Sequence, residues 1–92
     1  MKLLDDESYR GLQLALLLSP EFGALIKRSG GLRKVRWSLK GKGKRGGVRV
    51  IYYWDEPSET FYMLYVYPKS ERKDLSAAQL RVLTRLVREE FA

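Results

Sequence analysis

Leu32-Arg33-Lys34-Val35-Arg36-Trp37-Ser38, a basic glycine-punctuated run at 40–47, and Val48-Arg49-Val50-Ile51-Tyr52-Tyr53-Trp54 decide the fold of this chain. In the first segment Leu32, Lys34, Arg36 and Ser38 share one parity, and Arg33, Val35, Trp37 and Leu39 the other. A strand turns successive side chains to opposite faces, so Val35 and Trp37 are expected to point inward. The second segment is rich in β-branched and aromatic residues, and the glycines between the two mark a loop. Together they predict an antiparallel hairpin with a long cationic tip.

Outward from the hairpin, Asp55-Glu56-Pro57-Ser58 has turn composition, and residues 59–67 again read as a strand, extending the hairpin into a meander. Tyr52-Tyr53-Trp54 and Phe61-Tyr62-Met63-Leu64-Tyr65 lack clean alternation, as expected of central strands covered on both faces. The segment at 32–38 is then expected at the sheet edge. Ahead of it, Asp5 or Asp6 can cap a helix over 6–18 with Tyr9, Leu12, Ala15 and Leu16 on one stripe, ending before Ser19-Pro20. Residues 20–31 read as a connection without a firm element. Behind the meander, Ser76-Ala77-Ala78-Gln79 is a capping box and Leu75 can staple to Leu80. Leu80, Leu83, Leu86 and Val87 form the apolar stripe of this last helix. The expected order is α-β-β-β-α, a single α+β domain over 1–92 with an antiparallel sheet of at least three strands and a helix at each end.

Composition narrows the chemistry. The chain has no cysteine and no histidine, which excludes disulfides and thiolate sites and removes the commonest metal ligand and general base. No metal or cofactor is expected. The apolar stretch at 12–18 is too short to cross a bilayer, and no secretory segment precedes Asp5, so a cytoplasmic location without membrane contact is expected. The net charge is +7, and no acidic residue lies between Glu21 and Asp55. Lys27, Arg28, Arg33, Lys34, Arg36, Lys40, Lys42, Lys44, Arg45 and Arg49 all fall in that window. Such a patch suits a polyanionic partner.

The run Gly31-Leu32-Arg33-Lys34-Val35-Arg36-Trp37, then Lys40-Gly41-Lys42-Gly43-Lys44-Arg45-Gly46-Gly47-Val48-Arg49-Val50-Ile51-Tyr52-Tyr53, closely resembles the HigB-like branch of the RelE toxin superfamily. Tyr67-Pro68-Lys69-Ser70-Glu71-Arg72-Lys73-Asp74-Leu75-Ser76 resembles the passage of that branch from its last strand into the C-terminal helix. With the first helix, the likeness covers nearly the whole chain. It implies a microbial-RNase-like fold, ribosome-dependent cleavage of messenger RNA, and neutralisation by a cognate HigA-like helix-turn-helix antitoxin. Members of the family usually begin with a short apolar strand that this sequence lacks ahead of its first helix, which would leave a sheet edge open.

Metal-free RNA cleavage needs a ribose 2′-hydroxyl aligned on its own phosphate, cationic donors on the phosphorane, and proton transfer at the attacking and leaving oxygens. Arg49, on a predicted strand, matches the arginine that the superfamily sets against the scissile phosphate. It also reads as an ordinary surface cation of a basic hairpin. Lys34 and Arg36 fall where the superfamily often places a pair of cations, although alternating charges on an edge strand also block unwanted pairing. Lys69 matches a basic position near the cleft and is a candidate phosphate ligand or acid. Arg33, Lys40, Lys42, Lys44 and Arg45 are expected to meet RNA phosphates; as a bare sequence they equally form a solvated tip. Most aromatics are expected to close the core, with one or two at most left to touch RNA.

Ser70 stands where better-studied members carry an arginine, and no tyrosine follows Tyr67, so the general base is unassigned. A lysine with its pKa lowered well below about 10.4 by crowding is one option, Lys34 or Lys69. Alternative readings are a non-catalytic basic RNA-binding module, or a degenerate toxin that retains only antitoxin binding. No direct DNA binding is expected, because no helix-turn-helix with a basic recognition helix occurs.

Overall fold

The computed structural model describes residues 6–37, 47–68 and 74–91. In chain order these form helix α1 (Asp6–Leu18), strands β1 (Ala24–Leu25), β2 (Leu32–Trp37), β3 (Val48–Asp55) and β4 (Thr60–Pro68), and helix α2 (Ala77–Phe91). The strands pair antiparallel in the order β1-β2-β3-β4. The result is a small α+β domain whose helices lie on opposite faces of the sheet.

Register assigns each side chain its face, because residues directly opposite across an antiparallel pair point to the same side. Trp37 faces Val48 and Val35 faces Val50, and this row joins Leu12 and Leu16 of α1 and Tyr52 in one core. Leu32 faces Tyr53 and Lys34 faces Ile51 on the other side, where Leu32, Ile51, Tyr67 and Val87 of α2 form a second core. The expected inward placement of Val35 therefore holds, but the opposite parity is buried too at Leu32. A register shift at Ile51/Tyr52 leaves Leu64 without a partner, a β-bulge that flips the parity of the first half of β4. Met63 and Phe61 thereby reach the α1 core, whereas Leu64 joins the α2 core. The broken alternation at 61–65 is the sequence trace of this bulge.

Three expectations are corrected. Residues 24–25 form β1, so β2 is flanked over Arg33 and Lys34 and is not an edge strand along its whole length. The element is short because Tyr52 pins the chain: its hydroxyl donates to the Pro20 carbonyl at 2.8 Å and accepts from the Gly23 N–H at 2.9 Å. A Cβ at Gly23 would stand 2.8 Å from the Tyr52 ring, so only glycine permits this approach. Second, β4 is an outer strand among the described residues, and only β3 is paired along both sides for its main length. Third, Leu86 is 38% exposed, and the end of the α2 stripe is taken by Phe91, which stacks on Tyr53 at 4.7 Å between ring centroids.

The helix limits follow local chemistry. α1 opens with Asp6 and Glu7 at the positive end of its dipole and stops ahead of Pro20. At the start of α2 the Gln79 N–H donates to Ser76 Oγ at 3.1 Å, and the Ser76 N–H donates to Gln79 Oε1 at 3.0 Å. The capping box is thus formed, and Leu75 and Leu80 pack together into the α2 core.

Candidate functional site

Arg49 is the second residue of β3 and is only 6% exposed. Register sets it between Arg36 of β2 and Tyr67 of β4, all three on the α2 side of the sheet. Two like charges directly opposite each other weaken an antiparallel pair by roughly 0.2–1 kcal/mol. Neither arginine forms an ion pair with a carboxylate of the described residues. The fold thus holds two cations side by side, one of them buried, where an anion would relieve their repulsion.

Lys34 lies on the same face one pair further along, opposite Ile51, which in turn faces Tyr65. Its ammonium pairs with Asp74, just ahead of α2. The ion pair fixes the position of the Lys34 ammonium on this face. Tyr65 is 36% exposed, accepts a hydrogen bond from Gln79 Nε2 at 3.4 Å, and lies 5.7 Å from the Tyr67 ring. Gln79 ties the first turn of α2 to the Tyr65 row.

Arg33 is placed apart from these cations. It sits on the opposite parity, and its guanidinium donates to the carbonyls of Gly23 at 2.8 Å and Glu21 at 3.4 Å, with Glu21 Oε2 at 3.8 Å. It fastens the chain before β1 and does not join Lys34, Arg36 and Arg49. Lys69, Ser70, Lys40, Lys42, Lys44 and Arg45 lie outside the described residues. Tyr65 is the residue that sequence reasoning left among the core aromatics. Its signal was the two-residue period counted back from Tyr67, readable only once Tyr67 is known to oppose Arg49.

Among the described residues, the one displaced titration lies away from this row. Burial raises the Tyr52 phenol above its ordinary value of 10.0, opposed by the Gly23 N–H and the Arg33 charge. Among the described residues no group of acidic side chains is arranged to hold a metal ion. No helix of the described residues is long and apolar enough to cross a membrane.

One face of the sheet thus gathers Arg36, Arg49 and Lys34 beside two tyrosines. A family model described as the RelE toxin of the RelE/RelB toxin-antitoxin system matches residues 24–92. The chain belongs to the RelE toxin family. The match takes in the whole sheet and α2, with every candidate cation above, and starts after α1. As a toxin of a toxin-antitoxin system, this RelE-family chain has an antitoxin as its partner.

Proposed function

We propose that this chain is a HigB-like RelE toxin, an endoribonuclease that cuts messenger RNA on the ribosome without a metal ion. In this reading it blocks translation in the cytoplasm until a HigA-like helix-turn-helix antitoxin captures it. The observation that carries the reading is the row Arg36–Arg49–Tyr67, with Lys34 beside it, on the α2 side of the sheet.

The chemistry divides among these groups. The ribose 2′-oxygen attacks the adjacent phosphorus, the bond to the 5′-oxygen breaks, and a 2′,3′-cyclic phosphate and a 5′-hydroxyl end result. One proton leaves the 2′-hydroxyl and one reaches the departing 5′-oxygen. Arg49, on a rigid strand, donates to the equatorial oxygens as charge builds on the phosphorane. Arg36 and Lys34 hold the scissile phosphate in line, and Lys69 supplies a further cation or the acid for the leaving oxygen. The Tyr65 ring offers a stacking surface for a base next to that phosphate. Lys40, Lys42, Lys44 and Arg45 serve as sequence-adjacent cations for ribosomal or messenger RNA phosphates.

Primer extension on messenger RNA in a purified translation system tests the proposal. Wild type is expected to produce new cuts only when ribosomes are present, and Arg49→Ala to lower their rate by about 100-fold or more. Cuts of equal strength from Arg49→Ala would remove Arg49 from the reaction. No cuts from wild type, with RNA retained in a salt-sensitive way, would replace the nuclease with a non-catalytic binding module.

A further inference from the structure

Along α2, on the flank away from β4, runs a groove of about 580 Å³ whose walls are Arg28, Arg81, Arg85 and Arg88 over a floor of Leu80 and Thr84. All four arginines are exposed. None of them pairs with a carboxylate among the described residues. Arg81, Arg85 and Arg88 follow one another at four- and three-residue steps, so they form a single row about 10 Å long on one side of the helix. Arg28 stands across the groove from another element.

Arg28 reaches that position through a costly backbone. Its φ is 59°, in the left-handed region that side chains other than glycine avoid by about 1–2 kcal/mol. The turn is held by Ser29, whose buried Oγ donates to the Ile26 carbonyl at 2.6 Å and accepts from the Leu32 N–H at 2.9 Å. Gly30 and Gly31 complete it at φ 78° and 115°. A third left-handed position of the turn is thus occupied by a cation that lines the groove with three others.

We infer that this groove carries the phosphate backbone of single-stranded RNA as it leaves the Arg49 site, an inference that rests on the proposed nuclease reading. Three observations favour RNA over an acidic protein segment. Arginine forks in a straight row match a chain of evenly repeated phosphates. The groove has no large exposed apolar side chain of the kind that anchors a protein partner; these lie on α1, at Phe22 and Leu25, and at Val82 and Leu86 of α2. The groove also opens at Ala77, three residues after the Asp74 that pairs with Lys34, so the cations continue from the site into it.

Fluorescence anisotropy with a labelled single-stranded RNA oligonucleotide of mixed sequence, without ribosomes and over a salt series, tests the inference. Arg81→Gln with Arg85→Gln is expected to weaken binding roughly tenfold and to flatten the slope of log K against log salt by about 1.4, two phosphates' worth on a single strand. Arg28→Gly is expected to weaken RNA binding while thermal stability holds, because relief of the left-handed strain offsets the added chain freedom. A structural role alone would move stability and leave RNA binding unchanged. Wild-type affinity and slope in the double variant would overturn the inference, as would loss of antitoxin capture with RNA binding intact, which would give the groove to an acidic protein. Arg49→Ala separates the two proposals: if the nuclease reading fails, no variant cuts, yet the groove variants still lose RNA.

Discussion

The two faces of the sheet are covered by helices of similar length and serve different ends. On the α1 face the rows Trp37–Val48 and Val35–Val50 meet Leu12 and Leu16, both with no exposed surface, and Arg33, the charged strand residue of that face among those described, is fastened to backbone carbonyls. On the α2 face the apolar cluster of Leu32, Ile51, Tyr67 and Val87 shares its sheet with Lys34, Arg36 and Arg49. One face satisfies every charge it takes in. The other buries a cation beside a second cation, and the proposed function gives that pairing an anion to hold.

The comparison makes graded predictions. Leu16→Ala, in the α1 core, is expected to lower unfolding free energy by about 2–5 kcal/mol in a urea titration, since it leaves a cavity that a rigid sheet cannot close. A loss near zero would mean that α1 is not the stabilising layer. Tyr52→Phe comes next. It strips the Gly23 N–H and Pro20 carbonyl of their partner and is expected to cost about 1–3 kcal/mol. Because the folded phenol titrates above its unfolded value of 10.0, its contribution is full below pH 10 and is lost as pH rises through the folded value. Alkaline unfolding curves of wild type and Tyr52→Phe should therefore converge above pH 10; parallel curves would remove the titration from the account.

Smallest in stability, and sharpest for the contrast, is Arg49→Met. Removal of one of two opposed cations from a buried position is expected to raise stability by roughly 0.2–1 kcal/mol while RNA cleavage is lost. Differential scanning calorimetry checks the first part and primer extension the second. If Arg49→Met instead destabilises as Leu16→Ala does, the arginine is a core element and the two faces are alike after all.

Much of this arrangement was legible in the residues. The limits of α1, the capping box at Ser76, the hairpin and the third strand all follow from local signals: a proline stop, a reciprocal cap, and β-branched and aromatic runs. That Lys34 and Arg36 share a face follows from the period of a strand alone. Residues 24–25 escaped notice because two residues carry no period, and β1 exists only where Tyr52 holds Gly23 against β2. Arg33 was grouped with the RNA-facing cations because a charge run carries no sign of which of its members turn back to the chain. Nothing local in the sequence joins Arg81, Arg85 and Arg88 to Arg28, which the fold brings to one groove.

By itself the sequence determined both helices and the three long strands, how charge divides along the chain, and a likeness to RelE toxins that the family match supports at the level of the family. Tertiary structure alone decided that Arg49 stands opposite Arg36 and Tyr67, that Arg33 is fastened to the Gly23 and Glu21 carbonyls, and that Arg28 joins the row on α2. The physical reason is register. Local propensity sets the conformation of each segment, but which side chains meet across strands or between a turn and a helix depends on long-range pairing, and a single bulge in β4 reassigns faces that no local pattern could order.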